Sequence, residues 1–149
     1  MSHIPKRRRL LTVAVAESCT GGLLMARIVA TPGSGNWFKG GVVAYRAEVK
    51  FELLAVDPGP VVTSPAAEQM AQGVRELLKA DIGISTTGVA GPDTEEGRPV
   101  GTVFVAVADG EAVESFAMHL SGDPDEIREQ VVDFALSQIA LDQGHESPC

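Results

Sequence analysis

The amino-acid sequence predicts an α/β fold, a three-layer α/β/α sandwich on a mixed, mostly parallel sheet. Short β-branched segments alternate with amphipathic helical patterns as far as Gly88, which is typical of parallel strands joined by helices. An Asp109-Gly110 pair between two apolar segments indicates a β-hairpin, so at least one strand is antiparallel. A helical pattern that begins after Asp123 follows the hairpin and supplies the last element.

The first predicted strand ends in the segment Glu17-Ser-Cys-Thr-Gly-Gly22, and an apolar helical pattern follows it directly. Open α/β sheets bind their ligands at the carboxyl ends of the strands. Gly21 and Gly22 allow a ligand to approach the backbone closely, and the first N–H groups of a helix have no partner within it. The turn is therefore a candidate anion or oxyanion site, with the Ser18 hydroxyl beside it.

Hydrophobic periodicity, together with the positions of glycine, proline and helix-capping residues, indicates the remaining elements. After a connector that carries Trp37 and Phe38, we predict a strand over 40–45 and a short helix over 46–55 that has Val49, Leu53 and Leu54 on one apolar side. Next come a helix with Ser64 as N-cap and Pro65 at its first position, a buried strand over 82–87 and a loop over 88–99. Strands over 100–108 and 112–120 form the hairpin, and the last helix has Asp123 as N-cap with Glu126 completing a capping box.

The distribution of charge bears on domain organisation and on partners. The chain of 149 residues is long enough for one domain, which we place at 11–142, between a flexible basic arm over 1–10 and a frayed tail over 143–149. The arm carries four of the 12 Lys and Arg residues, so the other eight face 20 acidic residues, a net charge of −12. Phosphate contacts dominate nucleic-acid affinity, so a nucleic-acid partner is disfavoured.

Composition also bears on localisation and on cofactors. No apolar segment approaches the roughly 20 residues of a membrane span, and the start of the chain lacks the apolar core of a signal peptide, so we expect a cytoplasmic protein with no membrane partner. The two cysteines, Cys19 and Cys149, make no disulfide framework. Three scattered histidines and these cysteines show no ligand spacing, so neither a metal nor a cofactor is expected.

Ser18 is the strongest candidate nucleophile. It lies in a strand-to-helix turn, where a hydroxyl can be held exposed over the sheet edge, although the pattern is not Gly-x-Ser-x-Gly. The structural alternative is that Ser18 and Thr20 only cap the following helix. Cys19 is a second alternative nucleophile, as a thiolate.

Lysine is a better candidate than histidine for the general base. No histidine has a convincing structural context, which disfavours a Ser-His-Asp triad. Lys50 follows Tyr45 by five residues, so one helical turn could bring both polar groups over the same sheet edge. Burial or a neighbouring charge would have to lower the lysine pKa from about 10.4. The alternative is that Lys50 is an ordinary solvated surface charge.

The segment Gly88-Val-Ala-Gly-Pro92 is a second glycine-rich connection after a buried strand. If its strand neighbours the first one, both loops lie at one edge and suggest a phosphate- or nucleotide-sized ligand. A plain structural turn is the alternative. Neither loop matches Gly-x-Gly-x-x-Gly or the Walker pattern, so dinucleotide and triphosphate binding are disfavoured.

Taken together, these motifs resemble the CinA C-terminal domain family, whose members include bacterial nicotinamide mononucleotide deamidases. The resemblance covers about residues 11–141. It rests on Ala16-Glu-Ser-Cys-Thr-Gly-Gly22, Gly41-Val-Val-Ala-Tyr45 with Lys50, Gly88-Val-Ala-Gly-Pro92 followed by Pro99-Val-Gly-Thr-Val103, and Ser121-Gly-Asp123 with Arg128.

The resemblance implies an amidohydrolase that releases ammonia from nicotinamide mononucleotide in pyridine nucleotide recycling. It implies Ser18 as nucleophile, with Lys50 and Tyr45 beside it, and an oxyanion held by N–H groups of Cys19, Thr20, Gly21 and Gly22. Gly88, Gly91, Pro92 and Arg128 would hold the ribose phosphate. A missing N-terminal helix suggests an exposed apolar patch and hence a homo-oligomer.

The sequence departs from the family pattern at several positions. Arg46-Ala47 replaces the usual Ser-Asn after Tyr45, Pro124 replaces an arginine, and the 88–101 loop lacks a Gly-Gly pair. Two alternatives to the deamidase therefore remain. One is a non-catalytic nucleotide-sensing or partner-binding module linked to competence or DNA damage, and the other is an amidase for a different small amide.

Overall fold

A computed structural model of the chain describes residues 10–143 as one five-stranded sheet between helices. The strands are β1 (Val13–Glu17), β2 (Phe38–Val43), β3 (Ile82–Gly88), β4 (Thr102–Ala108) and β5 (Val113–His119). The helices are α1 (Leu23–Ala30), α2 (Ala47–Leu54), α3 (Ser64–Leu78) and α4 (Pro124–Asp142), with a 3-10 turn at Ser34–Asn36. Residues 1–9 and 144–149, which include most of the predicted arm and tail, lie outside the described residues. None of the described helices is both long and apolar enough to cross a membrane.

The sheet order is β2-β1-β3-β4-β5. β1 is parallel to both β2 and β3, whereas β4 is antiparallel to β3 and β5. β4 alone therefore runs against the other strands of this sheet, which confirms the predicted mixed, mostly parallel α/β sandwich. In the register, Glu17 at the end of β1 pairs with Val43 of β2 and with Thr86 of β3. The carboxyl ends of these three strands consequently meet at one edge.

Helices cover both faces of the sheet, and apolar side chains fill the two interfaces. On one face α1 and α4 bury Leu24, Ile28, Ile127 and Val131 against strand side chains. On the other, α2 and α3 bury Leu54, Met70 and Val74. Because each such side chain is worth roughly 1.5–3 kcal/mol when fully buried, the two interfaces hold the layers on the sheet.

Local turn chemistry gives the predicted hairpin and the predicted last cap. The Asp109 carboxylate accepts the N–H groups of Glu111 and Ala112, each at 2.9 Å, which closes the β4–β5 turn. At α4, Glu126 N–H donates to the Asp123 carboxylate at 2.9 Å, and Asp123 N–H donates to the Glu126 carboxylate at 3.0 Å. Both predictions are confirmed.

Three predicted details are wrong. The N-cap of α3 is Thr63 rather than Ser64, because the Thr63 hydroxyl accepts the Ala66 N–H at 3.1 Å. In α2, Leu53 is exposed, and the buried side chains are those of Lys50 and Leu54. Gln143, predicted to be frayed, is held at β1, since its amide accepts the Leu11 N–H at 3.0 Å and donates to the Leu11 carbonyl oxygen.

Helix α2 packs closely on α3 at Gly73. A Cβ atom at Gly73 would lie 2.1 Å from the carbonyl oxygen of Leu54, far inside van der Waals contact. This glycine therefore sets how closely α2, the helix that carries Lys50, approaches the rest of the fold.

Candidate active site

The ends of β1, β2 and β3 surround a cleft made of two adjoining cavities. One, of about 290 Å³, is lined by Ser18, Tyr45, Gly91 and Arg128 among others. The other, of about 270 Å³, reaches Lys50. The two cavities share four lining residues: Ser18, Tyr45, Gly88 and Glu95. The condition under which the two glycine-rich loops would lie together is met, because β1 and β3 are adjacent strands.

The turn after β1 presents Ser18 to both cavities. Its main chain is fixed, since the Ser18 N–H donates to the carbonyl oxygen of Thr86 at 3.0 Å and its own carbonyl accepts the Gly21 N–H at 3.0 Å. Within residues 10–143, the Ser18 hydroxyl makes no hydrogen bond. The hydroxyl is therefore available to a molecule in the cleft.

Glu17 is a structural residue of this turn that sequence reasoning missed. Its fully buried carboxylate accepts the N–H groups of Gly22 at 3.2 Å, Leu24 at 2.9 Å and Met25 at 2.8 Å. These are the N–H groups at the start of α1 that the sequence suggested for anion binding, so that part of the expectation is wrong. An acidic residue at the end of a fully buried strand was the available signal.

Three of the predicted ligand-binding residues shape the turn instead of lining the cavities. The Thr20 hydroxyl is buried and lies 2.8 Å from the Thr86 hydroxyl. Gly21 and Gly22 have positive φ angles of 58° and 102°, which favour glycine. The N–H groups of Cys19 and Thr20 are the ones in this turn with no main-chain or carboxylate acceptor among the described residues.

Lys50 is buried, which is the opposite of the ordinary surface lysine that the sequence left open. Its side chain is 1% exposed, and its Nζ donates to the carbonyl oxygen of Tyr45 at 3.0 Å. Burial lowers the pKa of Lys50 from its ordinary value of 10.5, while the nearby Cys19, Glu95 and Glu96 act in the opposite direction. A lysine with a lowered pKa can act as a general base more readily than a solvated one.

Tyr45 lies beside Lys50, as the sequence predicts, but contacts it through the main chain. The side chain is 70% exposed and lines both cavities. The Tyr45 hydroxyl makes no hydrogen bond to any described residue, so the structure gives it no proton-transfer partner within the chain.

The environment of Cys19 disfavours the thiolate form of its side chain. Burial raises the pKa of its thiol to about 12, so the group is protonated at neutral pH. The main chain of Cys19 contributes to the structure of the site, because its carbonyl oxygen accepts a hydrogen bond from Arg128 Nε at 3.1 Å. The alternative of a thiolate nucleophile is therefore disfavoured.

Arg128 of α4 reaches the cleft from the opposite end of the chain. Besides Cys19, it contacts the Asp125 carboxylate at 3.2 Å, and it lines the larger part of the cleft. The next residue, Glu129, pairs with Arg27 in the last turn of α1, with an Arg27 Nη2 to Oε2 distance of 2.6 Å. A partly exposed guanidinium at this place can bind a phosphate or carboxylate.

The loop after β3 closes the cleft on the side facing Ser18. Gly88 and Gly91 are required there, because a Cβ at Gly88 would lie 2.6 Å from the Thr102 carbonyl oxygen and Gly91 has a φ of 93°. Gly88, Gly91 and Pro92 all line the larger cavity. Glu95 and Glu96, which follow in this loop and were not singled out from the sequence, also border the cleft.

The described site offers no ligand set for a metal. Residues 10–143 contain no group of three or more His, Cys, Asp or Glu side chains placed to hold an ion.

A family model described as the CinA C-terminal domain matches residues 4–141. Among curated relatives, a "CinA-like protein" of Synechocystis sp. is 49% identical over 78% of this chain and 30% of its own length. A "CinA-like protein" of Frankia casuarinae is 43% identical over 89% of this chain and 32% of its own length. The chain thus spans about a third of the length of these relatives.

Solved structures of CinA proteins have the same fold. A CinA superfamily protein from Klebsiella pneumoniae superposes with a TM-score of 0.86 at 32% identity, covering 93% of this chain and 90% of the other. The competence/damage inducible protein CihA from Agrobacterium tumefaciens gives 0.82 at 30% identity, covering 89% of this chain and 86% of the other.

Proposed function

Because the chain belongs to the CinA C-terminal domain family, we propose that it hydrolyses the carboxamide of nicotinamide mononucleotide to nicotinic acid mononucleotide and ammonia. The observation that carries this proposal is the shared cavity of Ser18, whose hydroxyl has no partner among the described residues, and Lys50, whose pKa is lowered by burial. A hydroxyl beside a desolvated amine is the minimum requirement for nucleophilic attack without histidine or metal.

The reaction proceeds in two balanced halves. Neutral Lys50 accepts the proton of the Ser18 hydroxyl as the Oγ–carbon bond forms at the carboxamide. The carbon–nitrogen bond then breaks, and the leaving nitrogen takes the proton from Lys50 and departs as ammonia. Water next attacks the ester and gives a proton to Lys50. The Ser18 oxygen leaves with that proton, which regenerates the hydroxyl and releases a carboxylic acid.

The oxyanion formed in each half requires hydrogen-bond donors near Ser18. Glu17 already occupies the N–H groups of Gly22, Leu24 and Met25. The donors left in the turn are the N–H groups of Cys19 and Thr20, which follow the nucleophile directly. Removing one such donor in other enzymes slows the chemical step by about 10²–10³-fold.

Arg128 is the best-placed group for the substrate phosphate. It is the cation of the larger cavity, and the glycine-containing segment 88–92 lies in the same wall. Since Arg128 also holds the Cys19 carbonyl, phosphate binding and the position of the nucleophile would be coupled. Charge-assisted hydrogen bonds of this kind contribute more than neutral ones.

The direct test measures ammonia release from nicotinamide mononucleotide by purified protein without added metal. We expect release by the natural sequence and none above background by Ser18→Ala. Full activity in Ser18→Ala would overturn the assignment of the nucleophile. Absence of release from the natural sequence would overturn the deamidase.

A second candidate function, a nucleotide-binding module without catalysis, is favoured by one observation. Arg46 and Ala47 line the cavity at Lys50, where the family pattern usually has Ser-Asn, and the Arg46 guanidinium is engaged with Glu48 at 2.6 Å. A rise in melting temperature with the nucleotide, without ammonia release, would support this function.

A further inference from the structure

The loop segment 93–98 holds a carboxylate over the cleft. Glu95 is one of the four residues that line both cavities, the others being Ser18, Tyr45 and Gly88. After Gly91-Pro-Asp93 the chain continues with Thr94-Glu95-Glu96, without the Gly-Gly pair that the family pattern often has after Gly-Pro-Asp.

The neighbouring Glu96 fixes this segment in place. Its carboxylate accepts the N–H groups of Val61 at 2.8 Å and Val62 at 2.9 Å, in the segment that leads into α3. The Arg98 N–H donates to the Glu95 carbonyl oxygen at 2.7 Å, which closes a tight turn around Gly97. Glu95 is therefore carried on a tight turn that the Glu96 carboxylate ties to the body of the fold.

The charge of Glu95 acts inside the cleft. It is among the groups that raise the pKa of Lys50 against the effect of burial, so its field reaches the nitrogen that lies deepest in the site. The other charged residues lining the cleft are Asp93, Arg128, Arg46 and Glu96. Glu96 is occupied with main-chain donors and Arg46 with Glu48. Glu95 and Asp93 have no such side-chain partner among the described residues, and of these two only Glu95 also lines the cavity at Lys50.

We propose that Glu95 determines specificity for ring charge, by favouring an amide carried on a cationic aromatic ring over the same amide on a neutral ring. This inference rests on the proposed function and deepens it. The substrate class becomes N-substituted pyridinium carboxamides with an anionic tail, matched to a cleft that offers Glu95 to the ring and Arg128 to the tail.

The position of the reacting carbon supports this assignment. In nicotinamide mononucleotide the pyridinium nitrogen is meta to the carboxamide, so a substrate under attack by Ser18 has its positive charge close to that hydroxyl. Ser18 and Glu95 share the walls of cavities no larger than about 290 Å³. Glu95 itself is exposed, so its attraction for a cation in the cleft is that of a solvent-screened pair and adds a modest preference for the charged ring.

The experiment compares two ligands that differ in ring charge. Nicotinamide mononucleotide has a cationic ring, and its reduced form has a neutral dihydropyridine ring with the same ribose phosphate. Binding of each is measured by calorimetry to the full chain carrying Ser18→Ala, so that no turnover interferes. The same measurement is made with Glu95→Gln, Glu95→Asp and, as a control, Glu114→Gln added in turn. Glu114 lies on the exposed side of β5, away from the cleft.

We expect Glu95→Gln to weaken binding of the cationic nucleotide by about 3- to 5-fold and to leave the reduced nucleotide within about 1.5-fold. Glu95→Asp should restore most of the preference, and Glu114→Gln should leave both affinities unchanged. An equal loss for both ligands, no loss for either, or no binding of the cationic nucleotide to Ser18→Ala would overturn the inference. Ammonia release by the natural sequence tests the proposed function separately, so a failure of one is distinguishable from a failure of the other.

Discussion

The Lys50 ammonium group donates a hydrogen bond to the Tyr45 carbonyl oxygen at 3.0 Å while its side chain is 1% exposed. This pairing orients the nitrogen but supplies only a neutral acceptor, so burial decides the direction of the pKa shift. The consequences can be measured through pH.

Deamidase activity should rise with pH through the lowered pKa of Lys50, because only the neutral amine can accept the Ser18 proton. The midpoint of kcat/KM should lie below the ordinary value of 10.5. The unfolded chain binds the extra proton between the two pKa values, so the free energy of unfolding should also rise with pH in that window. Rates and denaturant midpoints measured over that pH range test the two expectations.

Lys50→Met should lose at least about 10²-fold in kcat, because the variant has no amine to accept the Ser18 proton. A flat pH profile of the natural sequence would contradict the role of Lys50 as base.

Replacing Glu17 by Gln should destabilise the turn that carries the nucleophile. In the natural sequence both carboxylate oxygens of Glu17 accept main-chain N–H groups. The glutamine amide keeps one acceptor oxygen, but its NH₂ group is a donor and would face N–H groups that it cannot satisfy. We expect a loss of about 1–3 kcal/mol in the free energy of unfolding, with a lowered kcat. Urea denaturation measures the first and ammonia release the second. Glu76→Gln on the exposed side of α3 is the matched control and should be neutral; equal stability of the two variants would disprove the capping role.

Loss of Arg128 should affect substrate binding and catalysis together. Arg128→Ala removes the cation of the larger cavity and the hydrogen bond to the Cys19 carbonyl. We expect KM for the nucleotide to rise about 10-fold and kcat to fall, with Arg128→Lys recovering part of the KM. Steady-state kinetics separate the two parameters. Lys39→Ala removes a positive charge elsewhere and should change neither; an unchanged KM in Arg128→Ala would refute phosphate binding there.

Cys19 should resist alkylation in the native protein and should be dispensable for chemistry. Its pKa of about 12 leaves almost no thiolate at neutral pH, and the side chain is buried. With Cys149 replaced by Ser, intact-mass analysis after iodoacetamide treatment should show the unmodified chain, and denatured protein should show one adduct. Cys19→Ala should keep most of the deamidase activity. Rapid native labelling accompanied by inactivation would favour the thiol as nucleophile.

Substitution of Gly73 by Ala should destabilise the fold even though alanine is the better helix former. Helix propensity favours Ala by about 1 kcal/mol, but the new Cβ would meet the Leu54 carbonyl oxygen. Overpacking of this kind carries a penalty of about 1–3 kcal/mol, and main-chain atoms have little room to move, so we expect a net loss. Gly35→Ala, whose Cβ has no neighbour within 4 Å, is the control in the same thermal unfolding assay.

The elements that sequence reasoning predicted well are those set by local rules. The Asp109 turn and the Asp123–Glu126 cap are made by side chains acting on N–H groups within three residues of themselves. The meeting of the two glycine-rich loops depended on whether their strands are neighbours, and the sheet order, which places β1 beside β3, satisfies that condition. The α3 cap shifted by one residue because Thr63 and Ser64 are both good N-caps, and only the main-chain conformation distinguishes them.

The features that the sequence did not predict depend on contacts between residues far apart in the chain, or on charged residues that are buried. Lysine side chains are usually exposed to solvent, so nothing in the sequence was a reason to expect a buried Lys50. Its burial results from the packing of α2 on the sheet. Glu17 is acceptable in a buried place because three N–H groups converge on it, and periodicity cannot show that convergence. The role of Glu96 likewise requires the 61–62 segment, more than 30 positions away, to lie beside the loop.

Two consecutive residues of α4 hold α1 and the turn before it: Arg128 binds the Cys19 carbonyl, and Glu129 binds Arg27 at the far end of α1. The nucleophile therefore belongs mechanically to the layer of α1 and α4. Lys50 belongs to the opposite layer, on α2. The proton donor and acceptor of the proposed reaction thus depend on different helical layers, and the packing of these layers at the carboxyl edge of the sheet sets their separation. Any sliding of one layer against the other would change that separation without altering a single residue in the cleft.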